Sequence, residues 1–113
     1  MDSEASHDAD RVFQQAAELF AVLATPIRLR VIRALCQGER SVGDILQDVT
    51  VLQPNLSQHL NILYRAGVVG RRRQGTQVFY RLANPTAALA CRAVCSQLAI
   101  DLDLQPSMLE ERL

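Results

Sequence analysis

Apolar positions recur along this chain at steps of three and four residues over most of its length and change to strict alternation once. From Asp10 to Leu23, Phe13, Ala16, Ala17, Phe20 and Leu23 follow the helical period, which predicts an amphipathic helix. Thr25 and Pro26, a capping hydroxyl and a first-turn proline, open a second helix through Ile27, Val31, Ile32 and Leu35 that stops at Gly38. Ser41, with an acid at Asp44, caps a short third helix. Pro54 opens a fourth, PNLSQHLNILYRA, which Gly67 closes. Alternation then takes over in VVGRRRQGTQVFYRL. Val78, Tyr80 and Leu82 share one face and Gln77, Phe79 and Arg81 the other, predicting two short strands around a Gly-containing turn. Asn84 and Pro85 cap a last helix reaching about Leu104, and QPSMLEERL reads as loose.

The expected fold is therefore mainly α with a small β-hairpin, five helices and a two-stranded wing. A length of 113 residues makes one domain, with 1–9 and 105–113 as flexible ends. A helix, a short capped helix, a brief turn and a helix with a polar outer face form the helix-turn-helix pattern, and the hairpin behind it makes a winged helix. On the fourth helix Leu56, Leu60 and Leu63 fall in one narrow stripe that must face the core. Pro54, Ser57, Gln58, Asn61 and Arg65 lie on the opposite side, with Gln53 and Asn55 beside them at the start of the helix. Amides, a hydroxyl and one arginine suit base edges and phosphate, whereas an ordinary wet helix face carries Glu and Lys.

Charge sharpens this picture. The net charge is zero, yet between Val49 and Ile100 there is no Asp or Glu, while Arg65, Arg71, Arg72, Arg73, Arg81 and Arg92 all fall there. A basic stretch inside a neutral protein suits a polyanionic partner. Arg71, Arg72, Arg73, Gln74 and Thr76 at the hairpin tip would be a solvated turn if they stood alone; beside a recognition-like helix they read as a DNA-binding wing. Apolar residues make up 49% and no apolar run approaches membrane-spanning length. The acidic opening MDSEASHDAD does not resemble a signal peptide, so a cytoplasmic protein with free thiols is expected.

LATPIRLRVIRAL, SVGDI, QPNLSQHLNILYRAGVV and RRQGTQVFYRL together resemble the ArsR/SmtB winged-helix repressors of bacteria, over roughly residues 17–83. The resemblance implies a homodimer built by the first and last helices on an inverted-repeat operator. It implies that residues Gln53 to Arg65, His59 included, read the major groove, and that Arg71 to Thr76 contact the minor groove or backbone. It also implies an inducer, often a metal ion, that weakens DNA binding. Two departures stand out. Many relatives bind metal through a Cys-x-Cys pair in the third helix, where this chain has Ser41-Val42-Gly43-Asp44; others use Asp, His and Glu on the last helix, which here has no His. His59 lies next to the leucine stripe, where a hydrogen-bonded, half-buried role competes with ligation.

Sulfur remains for sensing: Cys36 at the end of the second helix, Cys91 and Cys95 on the last. The latter two stand about 40° apart on the helix, on a stripe with Ala88, Val94, Leu98 and Leu102. Cys91 and Cys95 could both be small buried hydrophobes. They could hold a soft ion, with Cys36 as third ligand, trigonal sulfur suiting arsenite and a fourth ligand cadmium or lead. Alternatively, Cys36 could join a last-helix thiol in a disulfide or polysulfide bridge. The resemblance implies a repressor of this kind that requires no cofactor, since some members of the family sense oxidants or reactive sulfur with one thiol on the second helix and one on the last, but their second-helix cysteine lies about a turn earlier than Cys36. A Cys91–Cys95 disulfide is the poorer option, since adjacent helical turns hold the Cβ atoms too far apart. A thiol oxidoreductase would need a low-pKa cysteine near a base, and neither mid-helix cysteine has a histidine near it in sequence.

Overall fold

Thr25, Ser41 and Asn84 each close a helix N-terminus with a side-chain oxygen. The computed structural model describes residues 3–105. In chain order the elements are α1 (Ser3–Leu23), α2 (Pro26–Leu35), β1 (Arg40–Ser41), α3 (Val42–Asp48), α4 (Gln53–Arg65), β2 (Val69–Gln74), β3 (Gln77–Leu82) and α5 (Pro85–Asp101). Thr25 accepts from the Arg28 amide at 3.1 Å at the start of α2. Ser41 and Asp44 form a reciprocal capping box at α3. Asn84 Oδ1 accepts from the Thr86 and Ala87 amides at α5. The end of α4 is equally defined: Gly67 takes φ 76°, and the amides of Gly67 and Val68 bond back to the carbonyls of Tyr64 and Leu63, a Schellman motif.

Leu56, Leu60 and Leu63 of α4 are fully buried against Val31, Ile32 and Leu35 of α2 and Ile45 of α3 in one core. Each buried leucine contributes about 1.5 to 3 kcal/mol of apolar burial, so α4 is fixed in rotation with its polar side outward. β2 and β3 pair with Gln74 opposite Gln77, leaving a two-residue loop. Its first residue, Gly75, has φ 63°, the positive value a type II′ hairpin turn needs there.

The wing of β2 and β3 has two strands as expected, and the structure differs from the sequence reading at two other points. The sheet has three strands in the order β1-β3-β2, because Arg40 and Ser41 pair with Tyr80 and Phe79; a two-residue strand is too short to show alternation in sequence. The first helix begins at Ser3, so residues 3–9 are helical where a loose end was expected. They lack an apolar period but hold Ala5, Ala9 and first-turn Glu4, residues compatible with a helix. The expected C-terminal tail, from residue 106 on, lies outside the described residues.

Residues 4–15 of α1 are exposed throughout, and the principal-axis extents are 55 × 40 × 21 Å. α5 packs on α2 through Ala87 and Cys91 while Leu89, Val94, Leu98 and Leu102 stay open. No helix among the described residues is long and apolar enough to cross a membrane.

Candidate nucleic-acid interface

The outer side of α4 presents Gln53, Pro54, Asn55, Ser57, Gln58 and Arg65 to solvent, with Asn61 half-buried at the edge. No acid lies in its first turn and Arg65 lies in its last. Hydrogen-bonding groups without negative charge can approach a polyanion without repulsion.

The wing arginines, which looked alike in sequence, sit in different environments. Arg71 lies over the Tyr64 ring of α4, 3.9 Å from its centroid, a cation–π contact that ties the wing to the helix. Arg72 is engaged by other side chains of the protein. Its Nε and Nη2 donate to the two carboxylate oxygens of Glu39 at 2.9 and 2.6 Å, its Nη1 donates to Gln74 Oε1 at 2.7 Å, and it lies over Phe79. Hydrogen bonding from Arg72 holds the Glu39 carboxyl below the usual range. Arg73, Gln74 and Thr76 are exposed around the loop. Arg81 lies across β2 at Gly70, where a Cβ would come within 2.7 Å of its guanidinium carbon, so the glycine makes room for it.

His59 is half-buried on the inner edge of α4. Its Nδ1 accepts from Arg28 Nε at 3.1 Å, and Arg28 Nη1 donates to the Val22 carbonyl at 3.0 Å. Burial, then the Arg28 charge, pushes the imidazole pKa below 6.5. The ring thus joins α4 to the junction of α1 and α2. Glu39, Tyr64 and Arg28 were missed as site residues in the sequence. Their partners are 33, 7 and 31 positions away, and of these signals only the proximity of Tyr64 to the arginine triplet was available.

Residues 25–70, from the cap of α2 into β2, match the family described as bacterial regulatory protein, arsR family. An uncharacterised HTH-type transcriptional regulator of Mycobacterium tuberculosis, Rv0081, is 37% identical over 105 residues, which cover 92% of each chain. The chain belongs to the ArsR family. This regulator is accordingly a DNA-binding protein of transcription and not an enzyme. Among solved structures, the transcriptional repressor BigR from Xylella fastidiosa is similar with TM-score 0.74 and 36% identity, over 85% of this chain and 95% of that one. The homodimeric winged helix-turn-helix domain Mb0332 from Mycobacterium bovis is similar with TM-score 0.66 and 30% identity, over 91% and 89%.

In this ArsR-family regulator the thiols occupy the seam between α2 and α5. Cys91 is buried, and its Sγ donates to the Leu29 carbonyl at 3.7 Å and lies 4.0 Å from Cys95 Sγ. Burial, reinforced by the neighbouring Cys95 and Cys36, pushes the Cys91 thiol up to about 12. Cys36 and Cys95 are half-buried. Cys91 and Cys95 line an apolar cavity of about 190 Å³ with Phe20, Leu23, Leu29 and Val94. The stripe expected on α5 is split: Ala88 and Cys91 face the body, whereas Val94, Leu98 and Leu102 are more than half exposed.

Among the described residues no group of three or more His, Cys, Asp or Glu side chains is placed to hold a metal ion, so Cys36, Cys91 and Cys95 are not gathered as the three ligands of the soft-ion alternative.

Proposed function

We propose that the regulator is a homodimeric repressor that places α4 in the major groove of each half of an inverted-repeat operator and releases it when its cysteines are oxidised or sulfurated. What carries this reading is the outer side of α4: exposed, amide-rich, free of acid and flanked by the wing arginines. Gln53, Pro54, Asn55, Ser57, Gln58, Asn61 and Arg65 meet bases and phosphates, with His59 bracing the helix behind them. Arg71, Arg72, Arg73, Gln74 and Thr76 meet the backbone or minor groove. α1 and α5 supply the dimer interface. α1, about 31 Å long with residues 4–15 exposed, is a poor helix by itself, and Phe13 and Phe20 on α1 with Val94 and Leu98 on α5 and Leu102 just beyond it offer apolar surface for a second copy. The protein works in the cytoplasm, beside the chromosome.

The sensing step needs no cofactor. A half-buried thiolate, Cys36 or Cys95, attacks a polysulfide, displaces a shorter polysulfide anion and keeps one sulfur atom. A second cysteine thiolate then displaces hydrosulfide and closes a disulfide. With hydrogen peroxide, two thiols give a disulfide and two waters. Closing a bond between α2 and α5 needs the sulfurs at about 2.05 Å, so the helices must shift, and with them the spacing of the two reading heads. A coupling of about 1 to 3 kcal/mol changes operator affinity about 5- to 150-fold.

The test is titration of DNA selected from a random pool, with and without polysulfide or peroxide, alongside intact-protein mass spectrometry. The wild type should bind with steep salt dependence and weaken on treatment. A Cys36→Ser/Cys91→Ser/Cys95→Ser variant should bind equally and not respond. A triple variant that responds normally would falsify the thiol reading.

A further inference from the structure

We infer that Leu52, the residue before α4, is a specificity residue that contacts the methyl group of a thymine in each operator half-site. The inference rests on the proposed placement of α4 in the major groove. Three of the helices start on a side-chain oxygen, at Thr25, Ser41 and Asn84, while α4 starts on Leu52, with no side-chain cap bond. An N-cap leucine is among the poorer choices for helix stability. Leu52 gains nothing in the core to offset this. It is 73% exposed, level with Phe13 as the most exposed large apolar residue described, and it is absent from the core cluster. Its neighbour Val51 packs against that cluster, at the position of a hydrophobic staple for α4, so the turn is already anchored without Leu52.

The other exposed large apolar residues lie on α1, along or just beyond α5, or further along α4 at Ile62 and Tyr64. Leu52 alone stands at the N-terminal end of α4, the end of a recognition helix whose residues reach base edges. An aliphatic side chain there has no hydrogen bond to offer. The apolar group that a major groove presents is the C5 methyl of thymine.

The experiment replaces thymine by uracil, which removes only that methyl, at each position of the selected operator. For wild-type protein one position per half-site should lose about fourfold in affinity, the equivalent of one buried methylene, and about 16-fold with both half-sites replaced. For Leu52→Ala the replacement should cost nothing, with the salt slope unchanged. Leu52→Asn should bind less selectively yet melt several degrees higher at equal protein concentration, since it restores a cap. A structural role would instead lower the melting point. Uracil replacement that costs both proteins the same, or costs the wild type nothing, overturns the inference. Gln58→Ala separates the two levels. If it leaves the selected motif unchanged, the placement of α4 is wrong and the Leu52 contact falls with it; if it alters the motif, only the Leu52 contact is at stake.

Discussion

Arg28 and His59, 31 residues apart, meet at 3.1 Å with the guanidinium donating to a neutral imidazole. Protonation would turn Nδ1 into a donor and set two cations against each other. The folded protein keeps His59 neutral to a lower pH than the unfolded chain, whose value is near 6.5. Unfolding therefore takes up a proton between that value and the depressed one, and stability falls as pH drops through this window. We predict that the thermal midpoint, measured without DNA, declines as the pH falls below about 6.5. His59→Gln, which keeps an acceptor and cannot titrate, should flatten that part of the profile. A decline of equal size in the variant would assign it to other groups.

Local signals were legible in the sequence and distant pairings were not. Thr25, Ser41, Asn84 and Gly67 announce helix ends because the atoms they bond lie within a few residues, and the leucines of α4 declare the buried side by spacing alone. Most of the outer side of α4 follows by subtraction. The sequence showed three equivalent wing arginines, whereas the fold brings Glu39 to Arg72 and Tyr64 to Arg71. Cys91 likewise meets Leu29 across 62 residues, a contact that leaves no trace in spacing.

The Glu39–Arg72 pair predicts a gain of function. Both guanidinium nitrogens facing Glu39 are occupied, so phosphate must compete with a carboxylate for Arg72. Because the carboxyl is held below its ordinary range, the pair stays ionised at neutral pH. Glu39→Gln should tighten operator binding at low salt and steepen the slope of log affinity against log salt by about 0.9 for each phosphate gained. The pair is exposed, so little change in melting temperature is expected. An unchanged slope would remove Arg72 from the DNA contacts.

The thiols should react in a fixed order. Cys91 is buried and pushed up to about 12, so almost none of it is thiolate near neutrality. Under native conditions at pH 8, iodoacetamide followed by peptide mass spectrometry should find label on Cys36 and Cys95 while Cys91 stays protected. Denaturant should expose all three. Early labelling of Cys91 would mean that the α2–α5 seam opens readily.

The open side of α5 can be tested without touching the core. Leu98 is 53% exposed, and Leu98→Glu places a charge on the apolar surface assigned to the second copy. Sedimentation should show a monomer with native helical content. Operator affinity should fall sharply, because two half-sites no longer bind as one unit. A dimer of undiminished stability would move the interface elsewhere.

The first turn of α2 touches both ends of the proposed switch. Leu29 takes the Cys91 thiol through its carbonyl, and the preceding residue, Arg28, holds His59 on α4. A displacement of α5 against α2 can therefore reach the reading helix within one protomer, as well as through the dimer. Spatial adjacency alone does not establish coupling, and a double-mutant cycle can. The fold-loss of operator affinity on polysulfide treatment should be smaller in His59→Leu than in wild type, while sedimentation shows the variant still dimeric. If the Arg28–His59 bond carries about 1 kcal/mol of the coupling, as one net hydrogen bond can, the response shrinks about fivefold. An undiminished response in His59→Leu would assign the transmission to the α1 and α5 interface, and the Arg28–His59 bond would then serve only to set the rotation of α4.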